Sequence, residues 1–226
     1  MSGRRISIIP ATVVALLAAA PAFAQSAASA SAGPRLELTV GSGFALSTKV
    51  STADALEKAP DGSAFTLFKI SGTEAGKAGI DLTIGIRLTS HLWGEASGSI
   101  AKPEFRTSIS GDFEGAPDAT LTLPMKRYSV EGAGVWMLRK SGRVQPFVRG
   151  GAGWMREISA DGVLVQDNVL AVVGGGIKYW LRQRDTGHFR RFGLRFDARA
   201  IDRLGDLSLG VRRISGSLFG GAIFGF

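Results

Sequence analysis

One nine-residue stretch near the C-terminal end constrains the fold more than any other part of the chain, because its side chains separate into an apolar face and a charged face. From Phe192 to Ala200 alternate residues are apolar, while Arg195, Asp197 and Arg199 occupy the other phase. The stretch from 80 to 88 has the same form. A period of two with this contrast indicates β-strands that meet a different environment on each face.

Composition favours strands and turns over helices. The 226 residues include 31 glycines and no cysteine, so stability cannot depend on disulfides and must come from a large core or from burial in a membrane. Beyond the N-terminal run, no window approaches the 18 uninterrupted apolar residues of a transmembrane helix. The folded part is therefore either a soluble barrel or a protein that crosses a membrane as strands.

The N-terminus has the features of an export signal. Arg4 and Arg5 precede an apolar run over residues 6–20, and the small residues around Ala24 resemble a cleavage site. We therefore expect residues 1–24 to be a signal peptide that is cleaved near Ala24, residues 25–34 a flexible leader, and residues 35–226 the folded domain. The formal net charge is +8, but no basic run is interleaved with aromatic residues, so a nucleic-acid partner is not expected.

Eight strand-like segments are predicted, over residues 35–48, 79–89, 92–103, 125–139, 143–157, 168–182, 190–203 and 207–226. Three connections are long or medium and rich in Gly, Pro, Asp and Ser, namely 49–78, 104–124 and 158–167. The other connections are short turns, at 90–91, 140–142, 183–189 and 205–206. Short turns at one end and mostly long loops at the other are typical of an antiparallel transmembrane barrel.

Aromatic residues on the apolar phase indicate which face meets lipid, since alternation alone fits a soluble lipocalin-type barrel equally well. If the first strand runs outward from the periplasm, these residues form two girdles, one near each end of the barrel. The long-loop girdle contains Phe44, Tyr128 and Trp154, and the short-turn end holds Trp136, Tyr179, Phe192, Phe224 and Phe226. The same register places Trp93, Phe147 and Trp180 inward as exceptions.

The polar phase of the same strands carries equal numbers of acids and bases. It contains Glu37, Asp81, Arg87, Glu95, Glu131, Arg149, Lys178, Arg195, Asp197 and Arg199. Charges enclosed in a narrow barrel must pair to offset their desolvation. The balance therefore predicts a charged interior, an apolar exterior and a lumen plugged by paired charges.

Three segments resemble a known family. They are QPFVRGGAGW at 145–154, VGGGIKY at 173–179 and the closing GAIFGF at 221–226. The chain is similar there to the small Gram-negative outer-membrane β-barrels, which include the transmembrane domain of outer membrane protein A and the opacity-type surface proteins. The resemblance implies an eight-stranded antiparallel transmembrane barrel in the bacterial outer membrane, a monomer with outer-membrane lipid and the barrel-assembly machinery as partners. Phe224 and Phe226 resemble the assembly signal that this machinery reads.

The expected function is a non-enzymatic outer-membrane protein with a structural or surface-exposed role, and its surface ligand is unknown. A small-solute, porin-like channel is the first alternative, because charges inside membranes sometimes mark conduits. A lipid-modifying enzyme is the second, but it needs a base and a nucleophile at the long-loop rim. His91 and His188 are instead predicted to be solvated residues of short turns, and Glu104 and Asp112 are the possible carboxylate bases.

Four further features of the sequence have structural interpretations. There is no cysteine and no histidine pair at ligand spacing, so we predict no catalytic, cofactor or metal site. The glycine run at 173–177 lacks the helix of a phosphate-binding loop, and strand packing explains it better. The acidic segment 104–124 is expected to be a solvated loop, with surface recognition as the alternative. The short-turn side is strongly basic and could anchor the barrel to anionic lipid; its charges are Arg139, Lys140, Arg143, Arg182, Arg184, Arg190 and Arg191, against Asp185.

Overall fold

The computed structural model describes residues 35–183, 190–204 and 214–226, and every regular element in these ranges is a β-strand. No helix in the described residues is long and apolar enough to cross a membrane. The strands are β1 (Leu36–Ala45), β2 (Thr48–Lys58), β3 (Ala64–Ala75), β4 (Ala78–Arg87), β5 (Leu92–Ala101), β6 (Glu104–Ser110), β7 (Ala119–Met137), β8 (Val144–Ser159), β9 (Val165–Gln183), β10 (Arg191–Leu204) and β11 (Ile214–Gly225).

Eight of these strands close into a barrel, as the sequence predicted. Around the ring the order is β1, β4, β5, β7, β8, β9, β10 and β11, which pairs with β1 again. Every neighbouring pair is antiparallel, and the pairing of β7 with β8 completes the ring. The predicted turns at 183–189 and 205–206 and the first residues of the last predicted strand lie largely outside the described residues.

The remaining three strands extend the barrel wall beyond its long-loop end. β2 pairs with β3, β3 with β6, and β6 with residues 119–124 of β7, which gives a four-stranded sheet that we call the extension. The prediction of loops over 49–78 and 104–124 is therefore wrong. The turn residues that suggested loops are confined to short connections, where Gly62 and Gly111 adopt left-handed φ angles of 85° and 65°. Between those turns, the Thr-, Phe-, Leu- and Ile-rich segments pair as strands.

In the extension the apolar side chains lie on the inner face and the polar side chains on the outer face, which is the reverse of the arrangement in the barrel. On the face of the extension that continues the barrel interior, Ile70, Ile109 and Ala119 are directly opposite one another. On the outer face, the corresponding ladder joins residue 71 to Ser108 and Thr120, whose hydroxyl oxygens are 3.0 Å apart. The outer face of the extension is thus suited to water, whereas the outer face of the barrel is not.

The exterior of the barrel is an apolar belt. Phe196 on β10 is 48% exposed, whereas its neighbour Asp197 is 5% exposed. Other strands present exposed aliphatic side chains in the same way, among them Val40, Ile84, Val148, Val169 and Leu218. A barrel in water would bury these residues and expose the charges. The observed arrangement is the one that hydrocarbon requires around a membrane-spanning barrel.

Candidate functional site: the charged lumen

Nine charged side chains from seven adjoining strands meet inside the barrel, and none is more than 7% exposed. Period-two alternation brings them there, because every second residue of a barrel strand points inward. We call this set the lumen network. It consists of Glu37 (β1), Asp81 (β4), Glu95 (β5), Glu131 (β7), Arg149 (β8), Lys178 (β9), and Arg195, Asp197 and Arg199 (β10).

The half of the network nearer the short turns is held together by Lys178 and Arg195. The Lys178 ammonium donates a hydrogen bond to Glu37 and lies 3.7 Å from Glu95. Arg195 binds both carboxylate oxygens of Glu95, at 2.7 and 2.9 Å. A bidentate guanidinium–carboxylate pair combines strength with fixed geometry, so β5 and β10 are cross-linked through the lumen.

Asp197 is the centre of the other half. Its Oδ2 accepts from Arg195 Nη2 at 3.0 Å, its Oδ1 accepts from Arg199 Nε at 3.1 Å, and Arg149 Nη1 lies 3.7 Å away. Arg199 also donates to Asp81 at 3.1 Å and lies 3.6 Å from Glu131. Arg149 Nη2 donates to Glu131 at 3.3 Å. These contacts connect β4, β7, β8 and β10 across the lumen.

The network has one more acid than it has bases, unlike the balanced set that the sequence suggested. The difference is Arg87, which is only half-buried at the last position of β4. It lies near Glu37, but also near Arg35 and Arg190 at the short-turn rim. A residue at the end of a strand can occupy an inward-facing position in the alternation and still lie outside the enclosed part of the lumen. Alternation alone therefore placed Arg87 in the lumen.

An aromatic layer closes the lumen between the network and the short turns. Trp93, Phe147, Val135 and Met137 form one buried cluster. Trp180 is fully buried and its Nε1–H donates to the side-chain carbonyl of Gln145 at 2.9 Å. Cations of the network sit against this layer, with Lys178 Nζ 5.0 Å from the Trp93 ring centroid and Arg195 4.7 Å from that of Phe147. The three aromatics therefore face inward, as their register indicated.

A second set of charges, missed in the sequence, lies at the long-loop end. This upper ring consists of Glu74, Arg127, Glu157 and Arg203, and Glu74 accepts from Arg127 at 2.5 Å and from Arg203 at 2.6 Å. Burial alone would raise the pKa of Glu74, but the two arginines hold that pKa below its usual value. The spacing of the sequence could have predicted two of these residues. Arg127 precedes Glu131 by four residues and Arg203 follows Arg199 by four, so both lie on the inward-facing side of their strands.

A chamber of about 80 Å³ separates the lumen network from the upper ring. Asp81, Glu131 and Arg199 line it from the network, Arg127 and Arg203 line it from the ring, and its walls include the apolar residues Met155, Leu170, Ile201 and Phe219. Among the described atoms, Arg199 Nη2 has no hydrogen-bond acceptor. The chamber is large enough for several water molecules.

Glycines on neighbouring strands make room for the large charged side chains. Gly176 lies opposite Asp197 and Gly174 opposite Arg199. A Cβ on Gly176 would lie 2.1 Å from the Phe196 carbonyl oxygen, so no other residue fits there without backbone movement. This explains the glycine run at 173–177. The same pairing recurs around the barrel, with Glu37 opposite Gly85 and Gly225, Asp81 opposite Gly41, Glu95 opposite Gly85, Glu131 opposite Gly153, Arg149 opposite Gly174, and Arg195 opposite Gly221.

The predicted girdle residues lie on the outer surface. Five of them are between 37 and 50% exposed, namely Phe44, Tyr128, Trp136, Tyr179 and Phe192, while Trp154 is half-buried with the Arg156 guanidinium 5.5 Å from its ring centroid. At the C-terminal end, the Phe224 ring lies 5.3 Å from that of Phe192. The Phe226 N–H donates to the Leu36 carbonyl at 2.9 Å, so the terminal residue is bonded to the first strand of the barrel.

The residues considered for catalysis make structural contacts. His91 lies in the short turn before β5, as predicted, but it is half-buried rather than fully solvated: its ring stacks on Trp136 with the centroids 5.3 Å apart, and its Nδ1 lies 2.9 Å from the Met137 carbonyl oxygen. His188 lies outside the described residues. Glu104 pairs with Lys77 at 2.9 Å and with Arg106, and Asp112 accepts from the Ala116 N–H. In the described parts of the chain, no group of three or more His, Asp or Glu side chains is arranged to hold a metal ion.

Comparisons with known proteins support the fold. No protein-family profile and no curated protein matches the chain. Among solved structures it is similar to the outer membrane protein OprG from Pseudomonas aeruginosa, at 12% identity over 86% of this chain and 96% of that one, with a TM-score of 0.56. It is also similar to Neisserial surface protein A, at 13% identity over 84% of this chain and 97% of that one, with a TM-score of 0.51. The chain has the fold of the small eight-stranded outer-membrane β-barrels.

Proposed function

We propose that the protein is a non-enzymatic outer-membrane barrel with a closed lumen and a structural or surface-exposed role that is carried by the extension. The observation that carries the proposal is the lumen network, in which seven strands contribute side chains that pair across the interior. The aromatic layer lies directly beneath it. A solute would have to displace both layers to pass.

The location in the outer membrane rests on three supporting observations. The apolar belt suits a bilayer, the N-terminus resembles an export signal, and the structurally similar proteins OprG and Neisserial surface protein A are, by name, an outer-membrane and a surface protein. With the N-terminus of β1 at the periplasmic side, the extension projects from the cell. A single barrel satisfies its own strand pairing, so a monomer is sufficient, and outer-membrane lipid and the assembly machinery are its expected partners.

Opening the lumen would be costly. Removing one partner of a buried ion pair leaves an uncompensated charge, at about 3–5 kcal/mol, and the network shares its members among several pairs. Moving Arg195 aside breaks its contacts with both Glu95 and Asp197. The closed state should therefore dominate in the native protein.

Conductance across a planar lipid bilayer tests the proposal. The native protein should show negligible conductance, whereas Asp197→Ala should show a small and unstable conductance because water enters beside the unpaired arginines. Glu114→Ala, which removes an acid from the connection between β6 and β7, is the matched control and should behave as the native protein does. A large and steady native conductance would overturn the closed-lumen proposal.

A small-solute channel is the second candidate, and the chamber between the network and the upper ring favours it. This space of about 80 Å³ shows that part of the lumen is not filled by side chains. If the native barrel conducts, Arg127→Ala and Arg203→Ala in the upper ring should raise its conductance, since these side chains stand between the chamber and the extension. Unchanged conductance in both variants would contradict a route through the chamber.

A further inference from the structure

The short-turn rim of the barrel carries a collar of basic side chains. We call Arg35, Arg87, Arg139, Lys140, Arg143, Arg182, Arg190 and Arg191 the basic collar. They lie at or next to the ends of six barrel strands, and Glu37, which lies near Arg87, is paired with Lys178 in the lumen network. Arg184 and Asp185 lie outside the described residues. The collar therefore surrounds most of the barrel's circumference.

The opposite end of the molecule has the reverse balance. In segments 46–77 and 102–124, which contain most of the extension, six basic residues face eight acidic ones. Several of these charges pair locally, as Glu104 does with Lys77. Among the residues that the structure describes, charge is thus distributed unevenly along the barrel axis, and the short-turn end is the strongly positive one.

The depth of the collar matches the headgroup layer of a bilayer. Tyr179, on the outer surface near the short turns, precedes Arg182 by three residues within β9, and Trp136 precedes Arg139, in the turn after β7, by the same number. Three residues of a strand span roughly 10 Å, which a tilt of about 40° reduces to roughly 8 Å along the membrane normal. The headgroup layer of one leaflet is about 5–8 Å thick. Because aromatic girdles mark the edge of the hydrocarbon, the bases lie level with lipid phosphates.

We infer that the basic collar binds the phosphate groups of anionic lipids in the periplasmic leaflet. The inference rests on the proposed outer-membrane orientation. An acidic protein segment would contact one side of the rim, whereas lipid surrounds a barrel on every side, as the collar does. Arg139, Lys140, Arg143 and Arg182 are exposed to the surroundings of the barrel. Each basic residue near an anionic membrane raises the affinity of the protein for that membrane roughly fivefold, before screening by salt.

Equilibrium unfolding by urea in lipid vesicles tests the inference. The protein is folded into vesicles of phosphatidylcholine alone and into vesicles that also contain phosphatidylglycerol, and the unfolding midpoints are compared. The native midpoint should rise with phosphatidylglycerol, and high salt should reduce the rise. In Arg139→Gln/Lys140→Gln/Arg143→Gln, which removes three of the eight collar bases, the rise should be smaller by roughly a third if the bases contribute equally.

The control removes the same charge from the extension. Lys58→Gln/Lys69→Gln, compared with Arg139→Gln/Lys140→Gln, should keep the full native response, because these exposed lysines lie several residues beyond the long-loop girdle, whereas Lys49 lies beside it. If the triple collar variant fails to fold, Arg182→Gln alone should give a smaller loss. An undiminished response in the collar variants, or an equal loss in the control, would overturn the inference. A soluble polyglutamate peptide that raises the midpoint in phosphatidylcholine as much as phosphatidylglycerol does would assign the collar to an acidic protein instead.

The two proposals fail in different ways. Folding into phosphatidylcholine vesicles is measured first, by heat-modifiable gel mobility. A chain that does not insert at all would refute the membrane barrel itself. A chain that inserts normally but gains nothing from phosphatidylglycerol would refute only the collar.

Discussion

Replacing Asp197 by Asn removes the carboxylate on which three guanidinium groups converge. Both of its oxygens accept hydrogen bonds, Oδ2 from Arg195 and Oδ1 from Arg199, and its side chain is fully buried. An amide has only one oxygen, so in the Asp197→Asn variant the –NH₂ group must face one of these donors. We expect a loss of about 3–5 kcal/mol, the range found when one partner of a buried pair is removed.

Glu131→Gln is the matched comparison, because it also removes one negative charge from the network. Glu131 uses a single oxygen, Oε2, toward Arg149 at 3.3 Å and toward Arg199 at 3.6 Å. The Gln carbonyl can take that place, and the change relieves the excess of acids over bases. We therefore expect Glu131→Gln to cost no more than about 1 kcal/mol, the usual value of a single hydrogen bond.

Urea unfolding in lipid vesicles, followed by tryptophan fluorescence, distinguishes these two costs. With a slope of about 2 kcal/mol per molar urea, Asp197→Asn should lower the midpoint by roughly 1.5–2.5 M and Glu131→Gln by less than about 0.5 M. Equal shifts in the two variants would refute the reasoning, since they would show that net charge matters and that the geometry around Asp197 does not.

Three further predictions concern assembly, packing and pH. Deleting Phe226 should leave export intact but lower the yield of heat-modifiable barrel in the outer-membrane fraction, and a normal yield would argue against an assembly role. Gly176→Val should prevent folding, because its Cβ meets the β10 backbone, whereas Gly132→Ala, which has open space, should fold normally in the same gel assay. The pKa of Glu74 is lower in the folded protein than in the unfolded chain. The ionised side chain therefore contributes its full stabilisation at pH values above the unfolded pKa, and this stabilisation is lost as the pH falls toward the folded pKa. Hydrogen exchange in the extension, corrected for intrinsic rates, should therefore accelerate below about pH 4, and this pH dependence should be weaker in Glu74→Gln.

The barrel could be predicted from sequence because lipid and lumen impose opposite chemistry on alternate residues. Phe196 and Asp197 are neighbours with opposite exposure, and a contrast that large survives errors of several residues in a strand boundary. The same alternation placed Trp93 and Trp180 inward, although aromatic side chains also suit the lipid face.

The extension was hidden because the sequence of its strands does not alternate cleanly. In residues 64–72 both phases contain large apolar side chains, Phe65 and Leu67 on one and Phe68 and Ile70 on the other, so alternation gives no clear signal. Glu74 was missed for the same reason, since it lies in β3, within the segment predicted to be a loop, although the inward phase of its partners Arg127 and Arg203 was present in the sequence. Local patterns in the sequence do not show which distant segments of the chain will pair as strands.

The alternation of glycines and charges inside the barrel bears on how the strands find their alignment. A slip of one residue between β9 and β10 would turn every side chain to the wrong face, so hydrophobicity forbids it. A slip of two residues keeps both faces correct, and the apolar belt offers no resistance to it. In that alignment Arg195 would stand opposite the buried Trp180 instead of Lys178, and Asp197 would lose its gap at Gly176. The interior side chains thus select the strand register. They disfavour a shift of two residues, which the apolar exterior in the membrane would tolerate.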